Sequence, residues 1–399
     1  MIATDVQAVP ADGRVIRSAL LRWRDGEGRL WIDVPAELAP PKEDASPLLP
    51  VCLLQAMRRH EDLVIEGPVS ARMLAASDSA QAAYHAWDLS IRLASVTVAE
   101  RRPASAGVRG QSGCFFSRGV DSMYAAVVAK ARAHSPVLIF CERLDPIQGA
   151  DTRAAEHELA AQAAGALDLP LAIVASNVRE ITDPLLDWGD IHGGALGFIA
   201  LSLAGGLDHV IVPSTHAPLT VGPWGSSPLL DPLWSTEVLE LTHGRLETRP
   251  AKLRVIARQA PTLLPLIKVC YRQDGAGNCG QCNKCLLTMV CLDGLGLLDG
   301  TTSFPQPLDP KLVAAQRPAN LASRLLWLDA YRGLSTERRH RELRRAIEHL
   351  LWRVARPGAV ERLRRREFRR HPRSNEPGSF GRHRTNAAVS LNLDGEPYP

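Results

Sequence analysis

The chain has 399 residues, of which 45% are hydrophobic and 23% charged, and its formal net charge is +4. That length suits two or three domains of ordinary size, and that balance excludes wholesale disorder and collagen-like or other fibrous designs. The charge is unevenly placed: between Arg338 and Arg384 sixteen Arg and no Lys stand against five Glu, so the rest of the chain is net acidic and any polyanion contact falls to the C-terminus.

Residues Met1 to Asp12 contain no apolar stretch behind basic residues, and no later run reaches the ~18 apolar residues of a membrane span, which predicts a cytoplasmic protein. In chain order, Val15 to Trp23 and Arg29 to Val34 alternate as strands around the turn Asp25-Gly26-Glu27-Gly28 and predict a hairpin. The Pro-rich stretch Pro35 to Pro50 follows, then a helix at Leu53 to Arg59, a strand at Leu63 to Ile65, a helix at Ser70 to Ala76 and a strand at Ser90 to Val98. These elements predict a small α+β domain over residues 1–105, closed by the linker Arg101 to Gly107.

From Ser112 short apolar strands alternate with Ala-rich helices, the pattern of βαβ units. Strands are predicted at Ser112 to Phe116, Val137 to Phe140, Leu171 to Val174 and Val210 to Val212; helices lie near Ser122 to Ala133, Thr152 to Leu167 and Gly193 to Gly205. The fold class is α/β with a doubly wound parallel sheet over residues 106–300, and ligands of such sheets bind at the carboxyl ends of the strands. The Pro- and Gly-rich stretch His216 to Pro232 is too long for an ordinary connector, which makes it a candidate substrate loop. Leu321 to Tyr331 and Ser335 to Val354 predict helices in a basic extension over 301–372, and the polar composition of 373–399 predicts a disordered tail.

Two motifs carry chemistry. Cys114-Phe115-Phe116 runs into Ser117-Arg118-Gly119-Val120-Asp121-Ser122 and then a helix, an order that presents backbone N–H groups and a positive helix end to phosphate. Gly119 allows close backbone approach, Ser117 and Ser122 offer hydroxyls, and Asp121 either caps the helix or holds magnesium between phosphates. The plainer alternative is a βα turn with ordinary capping. The second motif is Cys270, Cys279, Cys282 and Cys285, four of the eight cysteines within sixteen residues. Four thiolates suit a closed tetrahedral zinc site, which organises the chain without activating water; an iron–sulfur cluster uses the same ligands. Lys268 and Lys284 are placed to offset the thiolate charge.

The hexamer resembles the Ser-Gly-Gly-x-Asp-Ser turn of the PP-loop ATP pyrophosphatases, with Arg118 in place of the first glycine. Together with the four-Cys arrangement behind the α/β core, it is similar to the 7-cyano-7-deazaguanine synthases over about Ser112 to Gly296. The resemblance implies an adenine nucleotide alpha hydrolase-like fold, with ATP, magnesium and zinc as cofactors. It also implies a ligase that adenylates a carboxylate or carbonyl oxygen, releases pyrophosphate and lets ammonia or an amine displace AMP. Asp121 and Arg118 are the catalytic candidates, and Ser117 through Ser122, Val120 included, the nucleotide-binding set. The first hundred residues and the Arg-rich tail lie outside the resemblance.

Further substrate candidates are His192 at a helix start, Ser214 and His216 after the fourth strand, and Asp231 at the end of the long loop; each also has an ordinary turn or capping role. Arg143 and Asp145 follow the second strand, where the family places adenosine. An RNA-thiolating enzyme and a noncatalytic nucleotide-binding component of a multiprotein system are the alternative functions. The partner is a small molecule or modified base, with a protein partner open. Nucleic acid is a weaker prospect, since the stripe Leu343, Ile347, Leu350 and Leu351 predicts that the first basic helix docks on the protein.

Overall fold

The computed structural model describes residues 1–102, 110–132, 135–144, 150–218, 221–272, 277–318 and 320–354. Ten strands form one mostly parallel sheet in the order β10-β9-β6-β7-β8-β3-β2-β1-β4-β5. Its parallel half consists of β6 (Gln111–Phe115), β7 (Val137–Glu142), β8 (Leu171–Ser176), β9 (Leu207–Val212) and β10 (Glu240–His243). From β6 the chain builds outward first through β7 and β8, then on the other side through β9 and β10. The connections therefore diverge at the carboxyl ends of β6 and β9 and leave the crevice in which open α/β sheets bind ligands.

Side-chain alternation along the central strands divides the core between the two faces of this sheet. Phe115, Ile139, Val174 and Val210 point to one face, where they join Leu49, Leu53 and Met57 of α1 (Leu48–Arg59) and Phe198 and Ile199 of α6 (Trp188–Leu201). Cys114 and Leu138 point to the other. There they meet α3 (Val120–Ala131), α4 (Ala150–Ala166), α7 (Arg249–Gln259), α8 (Asn283–Gly294), α10 (Leu321–Gly333) and α11 (Arg341–Val354). Leu343, Ile347 and Leu350 of α11 are buried in this second core, so the apolar stripe read from the sequence is the docked face of that helix. The run Arg364 to Arg366 and the remaining tail lie outside the described residues.

The N-terminal segment shares both sheet and core with the α/β segment. Antiparallel β1 (Ile2–Ala11), β2 (Arg14–Trp23) and β3 (Gly26–Pro35) join the parallel strands where Ile32 and Asp33 face Ser176 and Ala175 of β8. The Asn177 side chain extends that short ladder by accepting from Trp31 N–H at 2.8 Å and donating to the Arg29 carbonyl at 2.8 Å. On the far side β4 (Leu63–Ser70) and β5 (Val96–Arg102) return to parallel pairing, with α2 (Ala71–Trp87) between them. Helix α1 lies directly on α6 because Gly194 presents no side chain: a Cβ there would stand 2.4 Å from the Pro50 carbonyl.

The structure lengthens several expected elements and adds others. Strand β1 was absent from the periodicity because its alternation breaks at a bulge between Thr4 and Gln7, with Asp5 at a φ of 51°. The strand expected from Ser90 starts only at Val96, after Asp88 has turned the chain by accepting from Ser90. Two short helices, α5 (Val178–Thr182) and α9 (Pro310–Ala315), complete the described fold.

Deleting residues 1–102 would leave the β8 edge unpaired and bare the α1-facing surface of α6. The expected outcome is an insoluble or aggregating fragment on expression and gel filtration; a monodisperse, cooperatively melting fragment starting at Gly110 would contradict the shared core.

Candidate active site at the switch point

The turn between β6 and α3 is closed from within. Ser117 N–H donates to Ser122 Oγ at 3.1 Å, and Ser122 Oγ donates to the Gly119 carbonyl at 3.0 Å. The buried Ser122 hydroxyl thus serves the turn itself, whereas Ser117 is exposed at its lip. Gly119 is the extended residue before α3, so the unpaired N–H groups of the first helical turn, beginning with Val120, open at this point.

Arg118 sits in the left-handed region at a φ of 60°, a conformation that costs a non-glycine residue about 1–2 kcal/mol. The guanidinium is buried and bonded to Glu156 of α4 at 2.5 Å and to the Leu266 carbonyl at 3.3 Å, which holds the residue in that conformation. Lys268 completes the arrangement: its ammonium meets the other Glu156 oxygen at 2.5 Å, and its N–H donates to the Arg118 carbonyl at 3.0 Å. Arg118, a catalytic candidate from the sequence, thus has its guanidinium bonded to Glu156 below the turn. Lys268 is likewise bonded to Glu156.

Positive charge reaches the crevice from α7, which the sequence reading missed. Lys252, 1% exposed, places its ammonium 2.6 Å from Asp121 Oδ1 and 2.6 Å from the Ser214 carbonyl. Arg249 approaches Asp121 Oδ2 at 3.6 Å, and the Thr215 hydroxyl donates to the same oxygen at 3.2 Å. Burial works against ionisation of Asp121, but Lys252, Arg249 and the more distant Lys284 outweigh it and hold the carboxyl at about 2. Both carboxylate oxygens accept from protein donors, Oδ1 from Lys252 and Oδ2 from Thr215, so Asp121 holds these two side chains in place. The missed signal was Thr248-Arg249-Pro250, an N-cap followed by proline at the second helical position; Thr248 Oγ1 indeed accepts from Ala251 N–H at 3.4 Å.

Behind this pair lies a buried polar chain. His243, the last residue of β10, bonds through Nδ1 to Asp231 Oδ2 at 2.7 Å and through Nε2 to Ser214 Oγ at 2.8 Å. Ser226 of the long loop donates to the same Asp231 oxygen at 2.9 Å. His216, whose N–H donates to Ser214 Oγ at 3.1 Å, lies with its ring centroid 6.1 Å from that of His243. The structure therefore gathers the predicted Ser214, His216 and Asp231 around a histidine that the sequence reading passed over.

Predicted His192 is on the first turns of α6, bonded through Nδ1 to the Trp188 carbonyl at 3.1 Å and set between the rings of Trp188 and Trp224. Burial pushes its pKa down to about 4, so it is a neutral acceptor at neutral pH. The long loop lies against α6 where Gly225 N–H meets the Gly189 carbonyl at 2.8 Å. Arg143 is exposed and paired with Glu180, while Asp145 lies outside the described residues.

The sulfur atoms of Cys270, Cys279, Cys282 and Cys285 lie within 4.8 Å of one another, a group that can hold a metal ion. Asn278 shapes it: its amide oxygen accepts from Val269 and Cys270 N–H, and its amide nitrogen donates to the Ile267 and Ser303 carbonyls at 2.7 and 3.0 Å. Backbone N–H groups of Arg272 and Cys282 point at Cys270 and Cys279 sulfur at 3.4 and 3.3 Å. The set contains four soft ligands and no open position, which fits a structural metal of the zinc kind. Cys52, Cys114 and Cys291 are buried and Cys141 is partly so; burial pushes all four thiols up.

No protein-family model matches the chain, and no curated protein sequence matches it significantly. Among the described residues, no helix is long and apolar enough to cross a membrane.

Removing the Glu156 charge leaves two buried cations without their counter-ion. Glu156→Gln is expected to lower the unfolding free energy by about 3–5 kcal/mol, measured by urea denaturation; a change below about 1 kcal/mol would show that the buried pair is not what holds the turn.

Proposed function

We propose that this chain is an ATP-dependent ligase of the PP-loop type, which adenylates a carboxylate or carbonyl oxygen and releases pyrophosphate. The observation that carries the reading is the juxtaposition of the α3 N-terminus with the Lys252–Asp121 pair at the crevice between β6 and β9. Helix N–H groups and the Lys252 ammonium, which bonds Asp121 in the first turn of that helix, suit a triphosphate, and they would stabilise charge that moves onto the departing pyrophosphate. Magnesium bound with the nucleotide would supply charge screening for the phosphates.

Within this reading Asp121 orients Lys252, Ser117 offers its exposed hydroxyl, and Ser122 and Arg118 keep the turn in shape. A substrate oxygen attacks the α-phosphorus, AMP becomes the leaving group, and ammonia or an amine displaces it. His192, neutral and partly open beside Trp224, is placed to accept a hydrogen bond from the substrate. Cys270, Cys279, Cys282 and Cys285 would hold zinc, which would supply no chemistry in the reaction and would fix the segment that begins at Lys268. Nitrogen is favoured over sulfur as the displacing nucleophile, because every cysteine outside the cluster has its thiol pushed up by burial.

The reading is tested by incubating zinc-loaded protein with ATP, magnesium and a metabolite extract, and following AMP-linked products by mass spectrometry. Wild type is expected to form such a product, and Lys252→Met to lose about 10²-fold or more of the rate. Folded wild-type protein that forms no AMP-linked product and exchanges no pyrophosphate into ATP with any candidate acid would instead indicate a noncatalytic nucleotide-binding component.

A further inference from the structure

Among the described residues, the Ser214–His243–Asp231 chain is the polar cluster that the reading above leaves without a role. Its three members come from the end of β10, the loop after β9 and the 3-10 turn Asp231–Trp234. Its distances, 2.8 and 2.7 Å, are those of a serine–histidine–carboxylate relay. Two features separate it from a nucleophilic triad. Ser214 is 3% exposed, and its Oγ is occupied by His216 N–H in a tight turn. What emerges toward the crevice is not the hydroxyl but the two groups that this turn carries: the Ser214 carbonyl on Lys252 and the Thr215 hydroxyl on Asp121.

We propose that His243, held by Asp231, is the positioning residue of the switch-point site: it fixes the Ser214 hydroxyl, and through it the carbonyl and hydroxyl that aim Lys252 and Asp121. Nothing else described pins the ring so firmly, since Asp231 is 1% exposed and is itself steadied by Ser226. The long loop is thereby tied to the crevice without supplying a group to it. Without the imidazole, Ser214 loses a partner, the turn frees, and Lys252 keeps only the Asp121 contact.

The structural half of the proposal is independent of any ligand, whereas its functional half rests on the reading of the crevice as an ATP site. Hydrogen–deuterium exchange read by mass spectrometry on wild type, His243→Ala and Asp231→Asn tests the first. His243→Ala is expected to speed exchange over residues 213–217 about tenfold or more while α7 and β9 stay protected. Asp231→Asn, which keeps the shape and an acceptor for the imidazole N–H, should restore most of the protection. Unchanged exchange over 213–217 in a folded His243→Ala protein overturns the proposal.

Calorimetric titration of magnesium ATP tests the second half: Kd should rise about tenfold or more in His243→Ala and return toward wild type in Asp231→Asn. Wild type that binds no ATP, together with altered exchange in the variant, refutes the ATP reading and leaves the positioning role standing. If wild type binds ATP and His243→Ala binds it equally well, the functional half is overturned. Stoichiometric labelling of Ser214 by a fluorophosphonate overturns the proposal differently, by making Ser214 a nucleophile.

Discussion

The geometry of the crevice depends on one buried carboxylate. Glu156 binds Arg118 and Lys268 at the same distance through its two oxygens, and so joins three parts of the chain distant in sequence. Arg118 belongs to the turn after β6, Glu156 to α4, and Lys268 to the segment that enters the four-cysteine cluster. A buried charge triad of this kind contributes little net stability compared with an apolar core, yet loss of the carboxylate is severe. Its value here is conformational: it holds Arg118 in a backbone state that glycine adopts freely.

This arrangement gives the four-cysteine cluster a role at a distance. Asn278 fixes the backbone of Val269 and Cys270 immediately after Lys268. A metal closing Cys270 onto Cys279, Cys282 and Cys285 therefore also limits where Lys268, and hence Arg118, can sit. The four-cysteine cluster, ion triad and turn form a continuous path along one face of the sheet, while the Ser214 turn approaches from the neighbouring strands.

Much of this was legible in the sequence. The alternation of apolar strands and Ala-rich helices and the cysteine spacing are local patterns, and the strands, helices and four-cysteine group found in the structure follow them because their causes are local. Lys252, Arg249, Glu156 and His243 were not legible, since each acts only through a partner brought close by folding: Asp121 is 131 residues from Lys252, and Glu156 is 38 from Arg118. The sequence also made the first hundred residues look separate because composition changes near residue 105, whereas sheet pairing at β3 and β8 rests on backbone groups that composition does not report. Asp231, singled out as a substrate candidate, is buried and bonded to His243, a partner that the sequence does not reveal.

The central claim is that the crevice between β6 and β9 grips a triphosphate through the α3 N-terminus and Lys252. Isothermal titration of magnesium ATP into zinc-loaded, folded wild type and Lys252→Met measures this directly. The account predicts saturable binding by wild type and affinity at least about tenfold weaker in the variant, as befits the loss of one buried ammonium. Absence of binding heat in wild type across the accessible range, or equal affinity in the two proteins, would contradict it.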